Sequence, residues 1–187
     1  MSKTHSTSVR GMVSTAIMAA MICIAAPFAI PMPGLVPISL ATLAVYLAGA
    51  LLGAKKGTAA VAVYILIGAV GLPVYSGFTA GLGVLFGITG GYLLGYIPCA
   101  LICGLFADGL PKKSAALPLG MALGTLVCYI FGTAWFMLFT GQGAAEALAV
   151  CVVPFLAGDV VKIVCASALA YPLRAKLHRA ALCGERK

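Results

Sequence analysis

Apolar residues run along this chain in long blocks, which are separated by short segments rich in glycine, proline or charged residues. A helix of about 20 apolar residues is long enough to cross the hydrocarbon core of a bilayer. The blocks therefore predict six membrane-spanning helices, over residues 12–31, 36–54, 58–72, 83–107, 115–140 and 147–173.

The third block is short for a full crossing, and it ends at Gly71-Leu72-Pro73. A glycine-rich stretch follows in which no charged residue occurs before Asp108. Such a stretch predicts irregular backbone at membrane depth, which is tolerated only where it is buried in protein or lines a cavity.

The composition supports a membrane protein. Hydrophobic residues make up 63% of the 187 residues and charged residues only 9%, with a mean hydropathy of +1.13. Soluble domains have about 25% charged residues, so this chain has too few charges to cover the surface of a soluble fold. We expect an all-α integral membrane protein that forms one transmembrane domain over residues 1–187.

The basic residues test the number of spans, because lysine and arginine in short loops favour the cytoplasmic side of a membrane. Eleven of the twelve flank the predicted spans at the two termini and after spans two and four: Lys3, Arg10, Lys55, Lys56, Lys112, Lys113, Arg174, Lys176, Arg179, Arg186 and Lys187. The alternate connections contain no lysine or arginine. The pattern predicts six helices with both termini in the cytoplasm, and it explains the net charge of +8 without a nucleic-acid partner.

The twelfth basic residue, Lys162, lies inside the sixth predicted span, three positions after Asp159. A charged side chain within a bilayer costs at least about 2.5 to 3.5 kcal/mol, whereas a pair at this spacing shares one helical face and is partly neutralised. Two interpretations follow, a polar ligand or proton site and an ion pair that only fixes packing. Pro154 favours a helix break that would place the pair in the outer half of the membrane, reached from outside.

Residues 71–96 combine a glycine repeat with hydroxyl groups and aromatic rings. The repeat comprises Gly83, Gly87, Gly91 and Gly95, the hydroxyls belong to Tyr75, Ser76, Thr79, Thr89 and Tyr92, and the apolar rings to Phe78 and Phe86. Glycines at this spacing allow a backbone or a ligand to approach a helix closely. Because small-molecule pockets are mostly apolar with a few placed polar groups, the stretch is a candidate binding site, although helix packing would also explain the glycines.

Ala16 and Ala20 form a small-xxx-small pair on the first span, which predicts close contact with another helix, inside this chain or in another protein. Six of the seven cysteines lie within predicted spans and form no CxxC pair, and both histidines lie outside the spans. We therefore expect no metal site and no cofactor.

Three segments resemble the BioY family, the biotin-specific S component of energy-coupling factor transporters. They are VPISLATLAVYLAGALLGAKKG, GLPVYSGFTAGLGVLFGITGGYLLGY and PFLAGDVVK. The resemblance implies a six-helix, biotin-binding subunit of the cell membrane that works with a T component and a pair of ATPases. It also implies that Ala16 and Ala20 contact the T component. Ile88 stands where that family commonly has proline.

The resemblance implies a set of residues that bind biotin. In order of preference, the candidates are Asp159, Lys162, Tyr92, Thr89, Gly90, Thr79 and Phe78. Lys162 would bind the valerate carboxylate, and Asp159 with hydroxyls such as Thr89 or Tyr92 would bind the ureido ring.

No source of energy is visible in the chain. The segment Gly53–Thr58 has the composition of a phosphate-binding loop but not its spacing, so active uptake would need separate ATPase subunits. An alternative is a proton-coupled carrier of a small carboxylate-bearing vitamin, with Asp159 as its proton site. An intramembrane enzyme is disfavoured, because no serine or cysteine has a histidine beside it within the membrane.

Overall fold

The computed structural model describes residues 9–30, 37–109 and 115–184, and this part of the chain is almost entirely helical. Its α-helices are α1 (Val9–Ala25), α2 (Ala41–Val70), α3 (Leu82–Leu85), α4 (Gly90–Gly109), α5 (Ala116–Thr140), α6 (Ala144–Cys151) and α7 (Val153–Gly184). The antiparallel strands β1 (Ala29–Ile30) and β2 (Ile38–Ser39) pair between α1 and α2. Five of the lysines and arginines that predicted the topology lie outside the described residues: Lys3, Lys112, Lys113, Arg186 and Lys187.

Four helices of the described part are long and apolar enough to cross a membrane, over Ala41–Val70, Gly90–Gly109, Ala116–Thr140 and Val153–Lys176. Helix α1 is also apolar but has only 17 residues. The prediction of an all-α, multi-pass membrane protein is confirmed.

Helix α2 contains the second and third predicted spans. Gly53, with φ 77° and ψ −179°, interrupts it. A Cβ at Gly57 would lie 2.6 Å from the carbonyl oxygen of Ala48, whereas nine positions of a straight helix span about 13.5 Å. The two halves of α2 therefore fold back on each other at a single residue, and the predicted loop around Lys55 and Lys56 is helical.

The predicted span 83–107 is wrong at its start, because α4 begins only at Gly90. Irregular backbone precedes it, with a 3-10 turn at Ser76–Phe78 and the single helical turn α3. The break before α4 forms although Ile88 is not proline. The glycine repeat is consequently divided: Gly91 and Gly95 lie in α4 against α5, while Gly83 and Gly87 lie before it.

The other predicted helix boundaries agree with the structure to different degrees. Prediction and structure agree closely for 115–140, which is α5. The first span ends earlier than predicted, at Ala25, because the chain turns into β1. The predicted break near Pro154 is confirmed: Val152 separates α6 from α7, so 147–173 is not one helix, and α7 continues to Gly184.

Small residues bring α2 and α4 into close contact. A Cβ at Gly49 would lie 2.6 Å from the carbonyl oxygen of Ala100, and one at Gly104 would overlap the backbone of Ala54. Helix α1 packs on the same core through its buried residues Ala19 and Ile22. Without a hydrophobic driving force between helices in lipid, such close backbone packing is a main source of association.

Candidate functional site

Asp159 and Lys162 form an ion pair on α7, with Lys162 Nζ 3.0 Å from Asp159 Oδ1. Only 6% of the Asp159 side chain and 11% of the Lys162 side chain are exposed. The pair is therefore withdrawn from solvent, as the spacing in the sequence indicated. A buried pair of this kind needs further hydrogen bonds to offset its desolvation.

Two hydroxyl groups that sequence reasoning missed supply these bonds. Thr42, in the first turn of α2, accepts a hydrogen bond from Lys162 Nζ at 3.0 Å. Tyr129 of α5 donates a hydrogen bond to Asp159 Oδ2. The four side chains thus join three helices, α2, α5 and α7, that lie far apart in the sequence.

A small pocket of about 40 Å³ adjoins the ion pair. It is lined by Pro37, Thr42, Tyr46, Tyr92, Cys99, Thr125, Cys128, Tyr129, Phe155, Asp159 and Lys162. Tyr46 and Thr125 hydrogen-bond to each other there. The pocket gathers polar groups of α2, α4, α5 and α7, but it is too small for a vitamin, since small-molecule sites measure about 300 to 1,000 Å³.

A larger cavity of about 480 Å³ lies next to this pocket, and Pro37 lines both. Its walls come mainly from the irregular stretch before α4, and they include Tyr75, Ser76, Thr79, Gly83, Gly87, Thr89 and Leu93. The predicted residues Thr79 and Thr89 are therefore brought together, with a hydrophobic ring from Phe139 of α5 beside them. We call this space the hydroxyl cavity.

Tyr75 fixes the shape of the hydroxyl cavity. Its ring packs over Gly68, where a side chain would overlap it, and its hydroxyl donates to the carbonyl oxygen of Ile65 at 2.7 Å. The irregular loop between α2 and α3 is thereby tied to α2.

A second space of about 480 Å³ is lined in part by Lys162. The exposed side chains of Phe28, Ile30, Leu40 and Phe78 line it. Phe28 and Phe78 pack edge to face, with ring centroids 6.0 Å apart. Predicted residue Phe78 therefore lies in this apolar groove and not in the hydroxyl cavity.

The remaining two predicted residues have structural contacts. The Tyr92 hydroxyl donates to the carbonyl oxygen of Cys151 at 3.1 Å, and its ring covers Gly132, although Tyr92 also lines the small pocket. Gly90 is buried where α4 starts, and a Cβ there would overlap the carbonyl oxygen of Leu85.

The predicted partner residues lie on the outside of α1. Ala16 and Ala20 are both exposed, whereas Ala19 between them is buried against α2. Bulky apolar side chains next to them, such as Ile17 and Met21, are exposed as well. The small-xxx-small pair therefore does not serve helix packing within the described part of this chain.

The arrangement can bind a polar organic molecule through charge-assisted hydrogen bonds. An ammonium and a carboxylate lie side by side, and each has a hydroxyl as a hydrogen-bond partner. Lys162 also lines the apolar groove of about 480 Å³, whereas the hydroxyl cavity, whose described lining includes neither Asp159 nor Lys162, adjoins their small pocket through Pro37. Within residues 9–30, 37–109 and 115–184, no three histidine, cysteine or acidic side chains cluster as metal ligands would.

Comparison with known proteins gives one consistent result. Residues 1–179 match the BioY family. The biotin transporter BioY of Thermotoga maritima is 38% identical over 165 residues, which cover 88% of this chain and 96% of that protein. The biotin transporter BioY2 of Lactococcus lactis is 34% identical, over 80% of this chain and 81% of its own length.

A solved structure, that of the S-component for biotin from an ECF-type ABC transporter, has the same fold. Its TM-score is 0.83 at 26% identity, and the match covers 93% of this chain and 95% of that one.

Proposed function

The chain belongs to the BioY family, and from this we propose that it is a high-affinity biotin-binding membrane subunit that mediates biotin uptake with a T component and ATPases. The observation that carries the proposal is the buried pair Asp159–Lys162: Lys162 lines an apolar groove of about 480 Å³, and both residues line the small pocket that adjoins the hydroxyl cavity through Pro37. Biotin has one anionic end and one ureido ring, so it matches a site that offers one cation and one anion.

We assign the valerate carboxylate to Lys162 and the ureido N–H groups to Asp159. Ammonium–carboxylate and N–H–carboxylate hydrogen bonds are the strong, charge-assisted kind. The apolar thioether ring would lie in the hydroxyl cavity, where Thr79 and Thr89 offer hydrogen bonds beside apolar walls. Phe78, Tyr92 and Gly90 complete the proposed site, Phe78 as part of the groove and the other two as supports of the small pocket.

We further propose six spans with both termini in the cytoplasm of the cell (plasma) membrane. The spans are α1, the two halves of α2, α4, α5 and α7. Support comes from the turn at Gly53, where Lys56 lies against Gly11 of α1 and Arg174 of α7 hydrogen-bonds to the carbonyl oxygen of Ala50. Basic residues of two helices, α2 and α7, thus lie around this turn at one end of the bundle, as a cytoplasmic face requires.

The energising partners would dock on α1. Its exposed small face, Ala16 and Ala20, suits close contact with a helix of a T component. ATP hydrolysis would then occur on separate subunits, since the sequence lacks a phosphate-binding loop. The subunit itself would not be an enzyme and would need no cofactor.

Calorimetry on the detergent-solubilised protein tests ligand identity. We expect biotin to bind far more tightly than riboflavin, thiamine or folate. Biotin binding that is undetectable, or no better than that of the other three vitamins, would refute the assignment.

The alternative, a proton-coupled carrier of a small carboxylate-bearing vitamin, uses the same residues with Asp159 as proton site. Uptake of labelled biotin into cells separates the two. ATP depletion should abolish accumulation if ATPases drive it, whereas a protonophore at constant ATP should abolish it if protons do.

A further inference from the structure

The ammonium of Lys162 has two hydrogen-bond partners within this chain. An ammonium has three N–H donors, and Lys162 Nζ lies 3.0 Å from Asp159 Oδ1 and 3.0 Å from Thr42 Oγ1. These are its hydrogen-bond partners among the described residues, so one donor remains for a ligand. Among the described residues, Thr42 is the only hydrogen-bond partner of Lys162 Nζ that belongs to another helix. It therefore fixes the position of the ammonium at the end of the flexible side chain.

The hydroxyl proton of Thr42 makes only a long, weak hydrogen bond within the described part of the chain. The nearest acceptor given by the structure is Asp159 Oδ1 at 3.5 Å, well beyond the usual 2.5 to 3.0 Å of an O–H···O bond. A hydroxyl that accepts a hydrogen bond from a cation becomes a better donor through mutual polarisation. Thr42 thus offers a strengthened donor next to the free donor of Lys162.

We propose that Thr42 is a specificity-determining residue: its hydroxyl accepts from Lys162 and donates to the carboxylate of the bound vitamin. This inference rests on the proposed function, in which Lys162 binds that carboxylate. A carboxylate has two acceptor oxygens, and the ammonium and hydroxyl, 3.0 Å apart, together present one donor to each. A ligand that lacks the negative charge would gain much less from the pair, because its hydrogen bonds are not charge-assisted.

Tyr129 is the control residue for Thr42, because its hydroxyl contacts the carboxylate of the pair and not the ammonium. Its hydroxyl donates to Asp159 Oδ2, the oxygen that Lys162 does not contact. It therefore supports the acceptor that we assign to the ureido ring. Removal of the Tyr129 hydroxyl should weaken every ligand that carries a ureido ring, with or without a carboxylate.

The experiment measures biotin and biotin methyl ester by calorimetry on wild type, Thr42→Val, Thr42→Ser and Tyr129→Phe. We expect Thr42→Val to weaken biotin binding roughly 10-fold or more, the range of a hydrogen bond to a charged group, and to weaken binding of the ester much less. Thr42→Ser, which keeps the hydroxyl, should restore biotin binding. Tyr129→Phe should weaken both ligands by the same factor.

Equal losses of acid and ester in Thr42→Val, or no loss at all, would overturn the inference. If Thr42→Val does not fold, the ratio of acid to ester affinity in Thr42→Ala and Thr42→Ser decides, because the folded fraction cancels within one variant. An unchanged ratio in Thr42→Ala would then refute the role of Thr42. A wild-type protein that does not bind biotin would instead refute the proposed function itself.

Discussion

The carboxylate of Asp108 lies over Gly53, so that a Cβ at residue 53 would be 2.6 Å from each of its oxygens. Asp108 Oδ2 also accepts a hydrogen bond, at 2.9 Å, from the backbone N–H of Ala54. Arg174 of α7 lies 3.6 Å from the other carboxylate oxygen. The fold-back of α2 is thus secured by α4 and α7, and it leaves no space for a side chain at residue 53.

Gly53→Ala should lower the melting temperature of the detergent-solubilised protein more than Gly141→Ala. Both glycines have a positive φ, 77° and 71°. Gly141, with ψ 8°, is in the left-handed helical region, which costs a residue with Cβ about 1 to 2 kcal/mol, whereas Gly53, with ψ −179°, is in a region that is open essentially to glycine alone. Only at Gly53 would the new methyl group also strike the Asp108 carboxylate, since nothing lies within 4 Å of a Cβ at Gly141. Equal shifts in thermal unfolding would show that Asp108 does not restrict this turn.

Sequence patterns predicted the membrane class and most helical blocks because lipid imposes long apolar runs. Two of the differences between the predicted and observed boundaries have a clear physical reason. The chain reverses at Gly53 alone. Because the residues that follow this turn are charged, the sequence pattern predicted a loop there, although these residues are helical. The four-residue glycine repeat resembles that of one continuous helix from residue 83, yet Gly83 lies in the separate helical turn α3 and Gly87 in the irregular backbone between α3 and α4.

The residues of the candidate site were likewise predicted only in part from the sequence. Asp159 and Lys162 stood out because a charge inside an apolar span is expensive. Thr42 and Tyr129 carried no such signal, since single hydroxyls are common in membrane helices. Thr42 is 117 positions from Asp159, and only tertiary packing brings the two together.

Gly83→Leu tests whether the ligand occupies the hydroxyl cavity. Gly83 lines this cavity, nothing lies within 4 Å of its added Cβ, and its φ is not left-handed. A leucine there should fill the cavity and weaken biotin binding at least 10-fold, an expected loss of about 1.4 kcal/mol or more, with little change in melting temperature. Gly158→Leu, also in open space, is the control. Undiminished biotin affinity in Gly83→Leu would place the ring elsewhere.

Ala16→Trp and Ala20→Trp test the partner face of α1. Both positions are exposed on this chain, so tryptophan should leave its fold and its biotin binding intact. A helix that packs closely on these alanines would be pushed away, and co-purification with a T component should fall. Ala168→Trp, at an exposed alanine of α7, is the matched control. Retention of the T component by both α1 variants would exclude this face.

Lys162→Ala distinguishes a ligand-binding lysine from one that only neutralises Asp159. If Lys162 holds the carboxylate, the variant should lose about 1.5 to 3 kcal/mol of biotin affinity and much less affinity for biotin methyl ester, which has no charge to lose.

A structural pair predicts another result, because removal of one partner leaves the buried Asp159 uncompensated, with only the hydroxyls of Tyr129 and Thr42 near its oxygens. The fold would then weaken, and acid and ester binding would fall alike. Isothermal titration of both ligands into wild type and variant completes the double-mutant cycle. A coupling energy near zero would show that Lys162 does not contact the carboxylate, and the binding site would then have to be sought around Thr89 and the hydroxyl cavity.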